Sequence, residues 1–95
     1  MSDSAIGFEQ VTVAGTSIGL TAGTFGVANK ALITVESAAV RFRLDATAPT
    51  AAVGTPLEVG STLELYGADL LSRVRFIRRD GVSATINCQY LLGDD

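Results

Sequence analysis

The sequence predicts an all-β fold, an antiparallel β-sandwich or a jelly-roll-like barrel. Three observations carry this. Apolar and polar residues alternate along "VRFRLD" at 40–45 and again through 61–91, the period of a strand with one buried face. The bulky apolar residues are often Val, Ile and Phe, which suit a pleated surface. Ten Gly and two Pro recur along the chain, so few windows are long enough for a helix. Six or seven short strands at this spacing favour a sandwich or small barrel over βαβ units.

Taken in order, residues 1–30 form an N-terminal arm or first-strand region, and 31–95 the sandwich core of a single domain. "IGFEQVTV" fits a strand. "AGTSIGLTAGTFGVANK", rich in Gly, Thr and Ala, fits a strand, a loop or an extended arm. "ALITVE" at 31–36 and the strand at 40–45 fit a hairpin through a four-residue loop, Glu36 to Ala39, with Val35 opposite Val40 and Ile33 opposite Phe42. Val40, Phe42 and Leu44 then point inward, and Arg41, Arg43 and Asp45 outward. "TAPTAAVGTP" at 47–56 is a loop. "STLELYG" at 61–67 is a strand with Leu63 and Leu65 inward, and "ADLL" at 68–71 a single turn. The last two strands fit a hairpin through the three-residue loop Arg79-Asp80-Gly81, with Phe76 opposite Ala84, Val74 opposite Ile86 and Gly81 in the left-handed conformation. The final strand, Val82 to Leu91, turns Ala84, Ile86, Cys88 and Tyr90 inward.

The totals bound the function. The chain has 95 residues, 47% hydrophobic and 18% charged, against roughly 25% charged in ordinary soluble domains. A core this small hides a limited apolar surface. A homo-oligomer is therefore expected, with a trimer as the first expectation. A net charge of −3 and a pI near 4.7 argue against direct nucleic-acid binding. No run of 18 apolar residues suggests a membrane span. The opening residues lack the pattern of a secretory signal, so synthesis in a cytoplasm is the expectation. Cys88 is the only cysteine and has no intramolecular disulfide partner.

Catalytic equipment is not visible. The chain has no His, which removes Ser-His and Cys-His nucleophiles within one chain. One Cys without His does not build a zinc site. Asp45, Glu58, Glu64 and Asp69 are not spaced as an acid–base pair, and "GTPLEVG" matches neither a P-loop nor a dinucleotide fingerprint. No enzyme activity, cofactor or metal is expected. What remains is surface. Arg41, Arg43, Arg73 and Arg75 fall on outward faces, where arginine either pairs with neighbours across strands or grips a partner's carboxylates. Ile77 falls on the same side as Arg73 and Arg75, an apolar group among cations. Tyr66 follows the outward Thr62 and Glu64 and is the one aromatic placed to stack on a sugar.

The runs "ALITVE", "AVRFRLD", "TAPTAAVG", "LSRVRFIR" and "ATINCQY" together resemble small virion structural proteins of tailed bacteriophages and prophages, over roughly residues 31–90. The resemblance implies an all-β accessory of the particle, made in the host cytoplasm and located in the virion, with the major capsid protein or other virion proteins as partners. Capsid decoration, or cementing of the head, is the role it favours. A head-to-tail connector or tail accessory is the alternative within that class. A carbohydrate-binding module for host recognition is the alternative outside it. The resemblance implies no catalytic residues.

Overall fold

The computed structural model describes residues 4–93. Of these, 48% lie in strands and 11% in helix. Two open antiparallel sheets pack face to face, one in the order β1-β7-β2-β5 and the other β4-β3-β6. The fold is a β-sandwich, because neither sheet closes on itself into a barrel.

The first strand, β1 (Ser4–Val13), is ten residues long and runs antiparallel to β7 (Ala84–Leu92) along its length, from Ser4 opposite Leu92 to Val13 opposite Ala84. A bulge interrupts the register between Ala5 and Gly7. Val11 and Val13 are buried, whereas Phe8, Gln10 and Thr12 are exposed, the two faces that a period of two dictates. Beyond Val13 the chain leaves this sheet for the other. Ala14 O accepts a hydrogen bond from Arg78 N at 3.0 Å, and Ile18 and Phe76 exchange backbone bonds of 2.9 and 2.8 Å. The short helix α1 (Ala22–Phe25) follows, and its buried Phe25 meets Tyr90 edge-on with ring centroids 5.9 Å apart. Gly7 is required at this contact, since a Cβ there would come within 2.8 Å of Thr24 O. The described part of residues 1–30 is thus built into the sandwich.

Strand β2 (Lys30–Glu36) lies between β7 and β5 (Thr62–Tyr66). Strand β3 (Val40–Arg43) lies in the second sheet, between β4 (Thr55–Leu57) and β6 (Arg75–Arg78). Helix α2 (Ala68–Arg73) leads into β6, extending the single turn expected at 68–71.

Both expected hairpins are corrected. Strands β2 and β3 do not pair, and neither do β6 and β7, for each of these consecutive pairs is divided between the two sheets. The alternation places Ile33, Val35, Val40 and Phe42 inward, and all four are buried. They meet across the interior rather than side by side in one sheet. The connection at 37–39 is a corner, with Ser37 at φ 71 and Ala38 N bonded to Glu36 O at 2.9 Å. Gly81 adopts the left-handed conformation expected of it, φ 77, in a corner between sheets instead of a hairpin loop. Leu44, expected inward, is 36% exposed because β3 ends at Arg43. Arg73, expected on a strand, closes α2. The core joins both sheets through Val13, Ile33, Leu65, Leu71, Val74, Phe76, Ile86, Cys88 and Tyr90, each 2% exposed or less.

Candidate interface surfaces

The outer side of the β4-β3-β6 sheet gathers four of the six residues singled out from sequence. Arg41 lies opposite Ile77 on one flank and Pro56 on the other, and Arg43 lies opposite Arg75. Their chemistry is turned largely toward the protein itself. Arg41 donates from Nε to Ala51 O at 2.9 Å and from Nη1 to Gly54 O at 2.7 Å, so its fork pins the loop between β3 and β4. Arg43 binds Asp45 through Nε–Oδ1 at 3.1 Å and Nη2–Oδ2 at 2.5 Å. That pairing holds the Asp45 carboxyl below the usual carboxylate range. Arg75 donates to Val74 O at 3.0 Å and lies across Gly19, where a Cβ would come 2.5 Å from its Nη1. Ile77 is half-buried beside them. A shallow open groove of about 580 Å³, lined by Phe42, Arg43, Leu44 and Val53 among others, opens at the end of this sheet.

The other two candidates lie elsewhere. Arg73 pairs with Asp69 within α2 at 3.0 Å, an exposed helix pair worth a few tenths of a kcal/mol at most. Tyr66 stands at the end of β5 on the four-stranded sheet, 59% exposed, with its hydroxyl donating to Glu64. Arg79, not singled out from sequence, has a clear structural role. It donates to both Glu58 and Asp80 and so ties the β6–β7 corner to the turn before β5. Those bonds raise the Arg79 pKa further above its ordinary value and lower that of Asp80.

The outer face of the four-stranded sheet divides into two ends. At the polar end Gln10 Nε2 donates to Asn87 Oδ1 at 2.8 Å, and Asn87 Nδ2 donates to Glu36 Oε1 at 2.5 Å, a ladder of side chains across β1, β7 and β2. At the other end Phe8, Gln89, Leu32 and Glu64 form one cross-strand row, and Leu91, Lys30 and Tyr66 the next. Phe8 is 56% exposed and Ile6 42%, and Leu32 and Leu91 are half-buried. Ile6 and Phe8 escaped the sequence reading of surface candidates, although the alternation within "IGFEQVTV" places Phe8 opposite in facing to Val11 and Val13.

Inside the sandwich, Glu9, Tyr90 and Cys88 form a polar cluster closed to solvent on the tyrosine side. Tyr90 is fully buried and donates its hydroxyl to Glu9 Oε2 at 2.5 Å, and Thr21 N donates to the same oxygen at 3.1 Å. Burial, reinforced by the carboxylate, pushes the Tyr90 phenol well above its ordinary range, and burial pushes the Cys88 thiol up to about 12. Both stay protonated and unreactive near neutral pH. The cluster fastens the α1 segment beneath β1. No group of three or more potential metal ligands occurs among the described residues. No helix of the described residues is long and apolar enough to cross a membrane. Compared with known proteins, the chain matches no family model, no curated protein and no solved structure.

Proposed function

We propose that this chain is a structural protein of a tailed-phage particle, and that it decorates the head by docking onto the repeated surface of the major capsid protein. The observation that carries the reading is the end of the four-stranded sheet where exposed apolar side chains stand among Gln89, Glu64 and Lys30. There Phe8 and Tyr66 stand more than half exposed beside Leu32 and Leu91. Exposed apolar groups rimmed by polar residues mark a contact surface. The partner is suggested by the resemblance read from the sequence of residues 31–90 alone. The arginines of the other sheet support the reading differently: they stiffen the loop and corners that frame a docking module. Many weak contacts repeated over a shell add up through multivalency.

Copy counting tests it. Quantitative mass spectrometry of purified particles gives a copy number comparable to that of the major capsid protein if the chain decorates the head. About a dozen copies or fewer favours the connector or tail accessory. Absence from particles rejects both. The exposed Tyr66 ring beside Glu64 favours a second reading, a carbohydrate-binding module. It requires glycan-array binding that Tyr66→Ala abolishes.

A further inference from the structure

The two sheets have four edges, and three of them are protected. The β4 edge is three residues long and contains Pro56, which has no N–H to offer. The β5 edge is five residues long and carries Glu64, and charge discourages pairing. The β6 edge is covered by residues 14–18, through the bonds of Arg78 N to Ala14 O and of Ile18 to Phe76. The β1 edge is different. Among the described residues β1 pairs with β7 alone, and helix α1 packs beneath it through Gly7 and Glu9 rather than pairing with its flank. It has no Pro, Lys or Arg. Its protective devices are the inward-turned Glu9 and the bulge between Ala5 and Gly7, which leave a regular run from Gly7 to Val13 with no charge on its outward face.

We propose that this run of β1 pairs antiparallel, across a two-fold axis at Gln10, with the same run of a second copy. The two four-stranded sheets then join into one continuous sheet. Three features favour a second copy over any other strand. The run is bounded by the bulge at one end and by the departure of the chain from the sheet after Val13 at the other, so an identical run matches its length of about 24 Å. Its outward face can pair with itself about Gln10. Each exposed Phe8 lies opposite Thr12 of the second copy, an aromatic against a β-branched residue, which is a favourable cross-strand pair. The two Gln10 side chains meet at the axis, each holding Asn87 through Nε2 with its Oε1 left to accept. The charge pattern also permits it. The chain as a whole carries −3, but the only charge in the run is Glu9, whose carboxylate is held inward by Tyr90 and Thr21. No like charges oppose each other at the seam.

This pairing is independent of the virion reading. The seam is a single strand edge rather than a standard interface of roughly 800 Å² per partner, so the test extends to high concentration. Sedimentation velocity up to about 200 μM is therefore the first measurement, with a concentration-dependent monomer–dimer equilibrium expected. Gln10→Cys is expected to give a disulfide-linked dimer under mild oxidation, against a wild-type control in which the buried Cys88 gives none. Phe8→Lys, at an exposed position that leaves the circular dichroism spectrum unchanged, is expected to weaken association at least tenfold. A monomer at every concentration overturns the proposal. So does an oligomer in which Gln10→Cys fails to crosslink or Phe8→Lys leaves the affinity intact.

Discussion

Tyr90 and Cys88 show how single buried side chains set the response to pH. Both are acids whose native pKa is raised by burial. As pH rises past the ordinary thiol value near 9, the unfolded chain sheds the Cys88 proton while the native thiol keeps it until about 12. The unfolded state then binds fewer protons, so stability falls with rising pH, by at most about 1.4 kcal/mol per pH unit for one group. Tyr90 adds to the fall above its ordinary value of 10. Urea unfolding between pH 7 and 11 should show a plateau and then a decline, and Cys88→Ala should delay the onset by about one unit. Tyr90→Phe removes the hydroxyl bonded to Glu9 and is expected to cost about 1–2 kcal/mol at neutral pH. Gly81→Val is expected to cost a similar amount, about 1–2 kcal/mol. Nothing lies within 4 Å of a Cβ there, so an unchanged midpoint would mean that the positive φ is not held. At this scale the sequence was readable. The alternation of Ala84, Ile86, Cys88 and Tyr90 names the buried face of β7, and all four are buried, because facing is a local consequence of backbone period.

At the scale of elements the reading changes character, since partners are not local. Alternation says which way Val35 and Val40 point but not whether they lie in one sheet or meet across two. A short connection serves equally as a hairpin loop or a corner. The corner after β2 uses Ser37 at φ 71, a conformation for which its sequence offers neither Gly nor Asn as a signal. The arginine candidates were located on the outer face by the same logic. Their bonds to the protein's own carbonyls were not legible, because they depend on a loop that folds back. Arg41 reaches Ala51 and Gly54, ten and thirteen residues along the chain. Thr50 Oγ1 also accepts from Val53 N at 2.9 Å within that loop. Arg41→Ala is expected to cost about 2 kcal/mol, in line with the loss of charge-assisted hydrogen bonds, and to expose residues 44–54 to limited proteolysis. Arg41→Lys should recover little, since a single ammonium does not reproduce the fork.

For the molecule as a whole, the decisive contact is between the ends. Removing residues 4–13 would take Val11 and Val13 from the core and leave β7 without a partner on one side. A chain lacking this strand is expected to lose cooperative unfolding altogether, and retention of a sharp transition would show that β1 is dispensable. The same arrangement dictates when the protein acquires its shape. Strand β7 lies between β1 and β2, and Ser4 faces Leu92. The larger sheet therefore has a gap at its middle until β7 has been made. The three-stranded sheet has all its strands before then, but the larger one waits for β7 to join β1 to β2. Such pairing across the full sequence carries a large loop-closure entropy and places folding in the millisecond-to-second range. Until that closure, the apolar faces of β1 and β2 are open to chaperones and to neighbouring nascent chains alike.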